Sequence, residues 1–376
     1  MNKTSKPLRV LISGGGTGGH VYPAIAIADA LRDSDTPVEI AFAGSRDKME
    51  WIAVPKAGYP IKNIWISGIQ RRFTLQNLLV PVKLATSITQ SWKIINEFKP
   101  DAVVCTGGYV CGPVGWVAAR KRIPLFLQEQ NSYPGVTIRM LAKNSTVIYT
   151  AFEAASQYLD DEKIVLCGNP TRKQLMTPAG DEAYHSYGFD PKKPTILVLG
   201  GSGGAKAIND AIAENLAELH DEMGMQIIWQ CGSKYIESVQ SLLDPNKFQN
   251  LRLFHFIDNM RYAYSAADIV ISRAGASICS ELLITGKPSL LVPSPHVAGD
   301  HQTHNAMAMK TGGASMVLTD REVNQKLPQT IREMFSDADR LELMSISAKQ
   351  MARPDAAESI AKDIIQFITQ TKTVTA

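Results

Sequence analysis

The stretch Leu8 to Arg32, LRVLISGGGTGGHVYPAIAIADALR, decides how this chain is read. An apolar run of strand character passes into a turn made almost wholly of glycine, and then into apolar residues spaced as on a helix. Glycines let such a turn adopt positive φ and bring backbone N–H groups close to a bound oxygen, while the start of the helix supplies partial positive charge. The turn is therefore expected to hold an anion or a sugar hydroxyl.

The same residues satisfy the dinucleotide pattern GxGxxG as Gly14, Gly16 and Gly19. That fold also requires an acidic residue at the end of the second strand to hold a ribose. Here VEIAFAGSR ends in Gly44, Ser45 and Arg46, with Glu39 back at its start. A dinucleotide reading survives only in its NADP form, with Arg46 on a 2′-phosphate.

The device recurs. TILVLGG runs into SGGAKAIND, placing Gly200, Gly201, Ser202, Gly203 and Gly204 at a second strand-to-helix turn, and TGGYVCGP (Thr106 to Pro113) forms a third. One turn per domain predicts a ligand held at the carboxyl ends of two sheets, in a cleft between them.

Outward from these turns, short Val, Ile and Leu runs alternate with longer amphipathic stretches, the pattern of a parallel sheet wound by helices. Strands are predicted at 8–13, 38–43, 102–106, 125–129, 147–150 and 164–167, then at 195–200, 225–230, 251–255, 269–272, 289–293 and 315–318. Six and six imply two similar sheets. With 376 residues the chain is long enough for two domains. Between the two sets lies CGNPTRKQLMTPAGDEAYHSYGFDPKKP, dense in Pro, Gly and charge. The boundary is placed near Pro170, giving domains 1–170 and 171–354. The final segment, residues 355–370, reads as a helix with Ile360, Ile364, Ile365 and Ile368 on one face, expected to pack back on the first domain.

Composition excludes several classes. At 45% hydrophobic, 20% charged and a net charge of +3, the chain is neither disordered nor a nucleic-acid-coating protein. Five scattered cysteines show no CxxC pair and no zinc spacing, so reduced thiols are expected. No segment approaches the roughly 18 apolar residues that span a bilayer, and the first residues lack a signal peptide's apolar region, so a cytoplasmic protein is expected. The triplets Asp33-Ser34-Asp35 and Asp337-Ala338-Asp339 adjoin helix boundaries, where cap chemistry explains them better than metal ligation.

Taken in order, GGGTGGHVYPAIAIA, TGGYVCGP, EQNSYPG, GNPTR, LGGSGGAKAIN, SRAGASICSELL and DHQTHNA resemble the MurG family over nearly the whole chain. The resemblance implies a GT-B fold, two Rossmann-like domains with parallel sheets facing across a cleft. It implies inverting transfer of N-acetylglucosamine from UDP-N-acetylglucosamine to the C4 hydroxyl of the muramyl sugar of lipid I, a polyprenyl-diphosphate-linked muramyl pentapeptide, forming lipid II in peptidoglycan synthesis. By that similarity Thr17, Gly18, Gly19 and Asn131 face the transferred sugar and acceptor, and Gly108, Tyr109 and Glu129 belong to the acceptor side. Arg172 and Ser202 lie near the diphosphate, Ile257 lies against uracil, Ala276, Ser277, Ile278, Cys279, Ser280 and Glu281 hold ribose and phosphate, and Gln302 contacts the donor sugar. A carboxylate such as Glu281 can accept both hydroxyls of a ribose; its bland alternative is an acidic residue in the first turn of a helix.

His20 is the candidate general base. An inverting transfer needs a group to take the proton of the acceptor hydroxyl, and a helix N-terminus favours the neutral imidazole. The alternative is that His20 only caps the helix or orders the loop. A helix N-terminus with Arg172 would neutralise the departing UDP, so no cofactor or metal is expected. Ser202 is followed by Gly203 where the family usually has glutamine, Ile278 stands where threonine is common, and Gly299 precedes Asp300 where an acidic residue is frequent.

Residues 62–99 mix Lys62, Arg71, Arg72, Lys83, Lys93 and Lys99 with Ile66, Ile69, Phe73, Leu75, Leu78, Leu79 and Val82. A basic and apolar face of this kind lies well on an anionic bilayer, which suits a lipid-anchored acceptor and a peripheral protein on the cytoplasmic face of the plasma membrane. The rival readings are another acceptor on the same fold, and a non-catalytic nucleotide-sugar sensor.

Overall fold

The computed structural model describes residues 6–68, 79–171, 173–201, 203–244 and 247–375. Two compact units emerge, one of Met1–Thr171 with Asp355–Ala376 and the other of Arg172–Pro354. The first unit runs β1 (Leu8–Ser13), α1 (Gly18–Arg32), β2 (Val38–Gly44), α2 (Glu50–Lys56), β3 (Ile61–Asn63), α3 (Val80–Phe98), β4 (Ala102–Cys105), α4 (Cys111–Arg120), β5 (Leu125–Glu129), α5 (Val136–Ala142), β6 (Val147–Thr150) and β7 (Ile164–Leu166). The second runs α6 (Glu182–Tyr187), β8 (Thr195–Leu199), α7 (Lys206–Glu214), β9 (Gln226–Gln230), α8 (Ile236–Gln240), β10 (Leu251–Phe254), α9 (Met260–Ala266), β11 (Ile269–Ser272), α10 (Ala276–Thr285), β12 (Ser289–Leu291), α11 (His301–Thr311), β13 (Ser315–Val317), α12 (Val323–Phe335) and α13 (Ala338–Met351). The last helix, α14 (Ala356–Thr375), belongs to the first unit.

Every strand pair is parallel, in the orders β3-β2-β1-β4-β5-β6-β7 and β10-β9-β8-β11-β12-β13. The first sheet thus has one strand more than the pattern predicts. β3 is only Ile-Lys-Asn, paired with Phe42 to Gly44 at the sheet's edge. One of its faces meets solvent, so it carries no apolar run to betray it.

The pleat of β1 feeds two cores. Val10 and Ile12 pack with Ile27 and Leu31 of α1 and with Ile360 and Ile364 of α14, while Leu11 faces Val103, Leu125, Val114 and Ile138. Ile360, Ile364 and Ile368 are buried and Ile365 partly so, as their spacing at i, i+4 and i+8 predicts. Lys372 pairs with Asp101 at 2.8 Å, and the Tyr149 hydroxyl donates to Asp363, both fastening α14 to the first sheet. In the second unit Ile196 and Val198 of β8 pack against Ile208 and Ile212 of α7 and Leu327 and Ile331 of α12.

Strand order reverses between β1 and β4 in one sheet and between β8 and β11 in the other. The loops leaving these four strands are the glycine turns and the turn Arg273 to Gly275. Helices diverge to opposite faces at such a point and leave a crevice at the strand ends.

Candidate functional site

In the first unit two glycine turns interlock. Gly15 N–H donates to the Gly107 carbonyl at 3.3 Å, and the Thr106 hydroxyl donates to the His20 carbonyl at 2.8 Å. Gly108 has φ +85°, and a Cβ there would overlap the Gly15 carbonyl oxygen, so the approach of the two turns demands glycine. Thr17, exposed, is the N-cap of α1, with Gly18 and Gly19 as its first residues.

His20 follows on the same turn, half-buried. Its Nδ1 lies 3.0 Å from the Gly15 carbonyl oxygen and 3.4 Å from the Thr17 hydroxyl. A carbonyl only accepts, so Nδ1 carries the proton and, in the neutral ring, Nε2 presents its lone pair. Nε2 lies on the side of Gly107, where a Cβ would come within 3.0 Å of it. Through Nδ1 the ring is fastened to the loop that precedes its own helix. Thr17, not His20, holds the N-cap position of α1, without a side-chain hydrogen bond to the helix amides.

One amide of this turn is already engaged by a carboxylate. Glu50, 1% exposed at the start of α2, accepts Gly16 N–H at 2.9 Å and Ser45 N–H at 3.1 Å. A Cβ on Gly15 would overlap its carboxylate. One of the turn's amides is thus held by a buried carboxylate, which disfavours a phosphate beside it and leaves room for a neutral hydroxyl. No sequence motif marks Glu50, since its partners lie 5 and 34 residues away.

Glu129 ends β5 and is buried. One carboxylate oxygen accepts the backbone N–H and side-chain amide of Asn131 at 2.8 and 3.0 Å, and the other accepts Gly135 N–H at 2.8 Å. Burial pushes its carboxyl above the usual carboxylate range, against the pull of these donors. Through these bonds the buried Glu129 fixes the backbone and side-chain amide of Asn131. Gln130 ties this segment to the neighbouring turn by donating to the Thr106 carbonyl at 2.6 Å. Tyr109 is exposed, its ring against Gly68.

In the second unit, the turn after β8 has Gly201 at φ +79° and Gly204 at φ +77°. A Cβ on Gly204 would overlap the Cys231 carbonyl. Behind the turn sits Gln230, 5% exposed, which donates to the Gly201 carbonyl at 3.1 Å and accepts Ile257 N–H at 2.9 Å. One neutral amide thereby joins the glycine turn to Ile257, itself buried. This is a second residue that the sequence does not signal. Arg172 and Ser202 lie outside the described residues.

Gly275 caps α10 in open space, and by helix geometry the N–H groups that follow have no intrahelical acceptor. Within the expected run Ala276 to Glu281, Ser277 and Ile278 are half-buried. Cys279 and Ser280 turn inward: the Cys279 thiol is fully buried and pushed up to about 12 by burial, and the Ser280 hydroxyl donates to the Ala276 carbonyl at 2.9 Å. Neither side chain faces the surface at the start of α10. Glu281 stands in the second turn of α10, not the first, and its carboxylate accepts from the buried Tyr264 hydroxyl at 2.9 Å. The helix-dipole explanation for it fails on that position. Gln302 of α11 accepts Ser294 N–H at 2.9 Å through its carbonyl oxygen, directing the amide nitrogen elsewhere.

Asp337 caps α13, accepting Arg340 N–H at 3.1 Å, and Asp33 pairs with Arg32. Arg46 lies over the Trp51 ring. Of the basic and apolar segment, Ile66 packs on the core that Leu11 faces, while Leu79, Val82, Leu84 and Trp92 are exposed. Lys83 lies over Trp65, Lys121 over Trp92 and Arg120 over Trp116. Ile69, Arg71, Arg72, Phe73, Leu75 and Leu78 lie outside the described residues. Among the described residues no helix is long and apolar enough to cross a membrane.

Residues 10–150 match the glycosyltransferase family 28 N-terminal domain, and residues 195–360 match its C-terminal domain. A UDP-N-acetylglucosamine–N-acetylmuramyl-(pentapeptide) pyrophosphoryl-undecaprenol N-acetylglucosamine transferase of Christiangramia forsetii is 43% identical, over 96% of this chain and 98% of its own length. The chain belongs to the MurG family. A Salinibacter ruber protein of the same name is 42% identical over 97% of this chain and 98% of its own. The crystal structure of Acinetobacter baumannii MurG superposes with a TM-score of 0.76 at 29% identity, over 96% of this chain and 99% of that one. In this MurG-family chain the GT-B expectation of two parallel-sheet domains holds, and glycosyltransferase family 28 membership makes it a glycosyltransferase.

Proposed function

We propose that this chain transfers N-acetylglucosamine from UDP-N-acetylglucosamine to the C4 hydroxyl of the muramyl sugar in a polyprenyl-diphosphate-linked pentapeptide, converting lipid I to lipid II and releasing UDP. Full-length identity to transferases of that name supports the choice of substrates. The observation that supports the mechanism is the His20 ring, whose Nδ1 bonds the Gly15 carbonyl, the arrangement of a tautomer in which Nε2 is the basic nitrogen.

In the proposed step Nε2 takes the proton of the acceptor hydroxyl as its oxygen bonds to the anomeric carbon. The bond from that carbon to the UDP oxygen breaks, its electron pair leaves with the diphosphate, and the anomeric configuration inverts. The first unit supplies Thr17, Gly18, Gly19, His20 and Asn131 to the sugars. The second takes UDP, with uracil beside Ile257, ribose on Glu281, and the diphosphate on the amides of the β8 turn and of α10 with Arg172 and Ser202. Gln302 meets the donor sugar. Charge on the leaving diphosphate is met by those amides and by Arg172, which calls for no metal or other cofactor.

The exposed apolar residues of α3, bordered by Lys83, Lys121 and Arg120, suit an anionic lipid surface. They support a peripheral position on the cytoplasmic face of the membrane that carries the acceptor.

Purified protein, UDP-N-acetylglucosamine and a lipid I analogue test the reading. UDP release should require the analogue; release without it, or none with it, overturns the assignment.

A further inference from the structure

Glu50 and His20 never touch, yet they grip opposite ends of one peptide unit. The Gly15 carbonyl that accepts His20 Nδ1 at 3.0 Å and the Gly16 N–H that donates to Glu50 at 2.9 Å belong to the same amide. We propose that Glu50 is a positioning residue for His20, acting through the Gly15–Gly16 peptide to hold the Nδ1-protonated tautomer and to raise the basicity of Nε2. This rests on the reading of His20 as the general base.

The chemistry is that of a carboxylate–histidine pair with an amide interposed. A carboxylate accepting from an amide N–H draws the amide's positive end toward itself and enriches the carbonyl oxygen at the other end, so the two hydrogen bonds strengthen each other. When Nε2 takes a proton the imidazolium becomes a stronger Nδ1–H donor, and the enriched Gly15 oxygen stabilises it. No proton crosses the peptide; it stays on Nε2 until it passes to solvent.

Three observations indicate a built device. Glu50 is 1% exposed although charged side chains are rarely buried unless paired. Both its oxygens accept N–H groups, from Gly16 and from Ser45, which matches the ionised form. Side chains are excluded on two sides of it, since a Cβ on Gly15 would overlap its oxygens and one on Gly44 would lie 2.6 Å from its Cγ. Among the described residues, the titratable or charged groups on the elements that carry the ring and its loop include Tyr22 on α1, Cys111 at the start of α4, and Arg46, Asp47 and Lys48 before α2. Cys111 is buried with its sulfur 2.9 Å from the Gly107 carbonyl, Arg46 lies over Trp51, and Tyr22, Arg46, Asp47 and Lys48 are exposed.

Nitrogen NMR on the full chain, with ¹⁵N-labelled histidine and glycine, tests the coupling. His20→Gln identifies the His20 ring signals among the seven histidines. In the unaltered protein the Gly16 amide should titrate with the His20 ring, and neutral His20 should carry its proton on Nδ1. In Glu50→Gln the ring should lose about three- to tenfold in proton affinity and show mixed tautomers. The acid limb of the kcat profile should move to lower pH in step, with KM for UDP-N-acetylglucosamine unchanged. Glu50→Asp, which keeps the charge at a longer distance, should fall between the two.

A Gly16 amide indifferent to His20 protonation overturns the proposal, and that measurement needs no variant at position 50. A folded Glu50→Gln protein with an unmoved His20 titration overturns it equally. If His20→Gln keeps full turnover, the base reading fails instead, while the ring titration still decides the coupling.

Discussion

The turn after β1 and the turn after β8 share a sheet position and a glycine-rich sequence, but the side chain behind each differs in charge. Glu50 backs the first and claims an amide of the turn, whereas Gln230 backs the second and takes a carbonyl, Gly201 O. At about 4 Å and an effective dielectric near 20, two like unit charges repel by roughly 4 kcal/mol, enough to decide where a diphosphate settles. On the proposed reading the first turn meets hydroxyls and the second the diphosphate, and this difference in charge favours that division. Two turns alike in sequence are made unlike by residues that neither motif contains.

The sharpest way to break this division is to compare His20→Ala with Glu281→Ala. The first should lower kcat by about a hundred- to ten-thousandfold with donor affinity kept, and the second should chiefly weaken donor binding. Equal affinity losses in titration calorimetry would remove the division. Next in size is Gly204→Ala, which puts a Cβ at positive φ against the Cys231 carbonyl and should reduce UDP affinity by about ten- to a hundredfold. Its neighbour Gly203 faces open space, and Gly203→Ala should bind UDP within about twofold of the unaltered protein.

Gln230→Ala removes the tie between Gly201 and Ile257 and leaves an amide and a carbonyl unpaired, a loss of about 1–3 kcal/mol. UDP affinity should fall about tenfold while the pH dependence of kcat stays in place; a moved pH profile would mean the two turns are not independent. Smallest of all, excess EDTA should change the transfer rate by less than about twofold, and a collapse restored by a divalent cation would show that amides and Arg172 do not suffice for the leaving diphosphate.

The strands were legible to within a residue or two because buried parallel strands are written as uninterrupted Val, Ile and Leu runs, as in Leu8–Ser13 and Ile269–Ser272. β3 was not, because three residues at an edge need no such run. The helical stripe Ile360, Ile364 and Ile368 declared a buried face without naming its partner, and the sheet it covers begins some 350 residues earlier. Glu281 and His20 stood out by residue type beside glycine-rich motifs. Cys279 and Ser280 lay in the same motif yet point inward, since successive residues of a helix are turned about 100° apart and a motif does not say which face meets a ligand.

What the sequence determined by itself is what short-range physics enforces: strand and helix periodicity, glycine where φ is positive, and the motif order that marks the family. Tertiary structure alone decided which charge lies behind each turn. Glu50 reaches Gly16 and Gln230 reaches Gly201 only because parallel strands bring residues 34 and 29 positions apart to adjacent ends of one sheet. Hydrogen bonds act over about 3 Å, a distance that folding sets and sequence spacing does not.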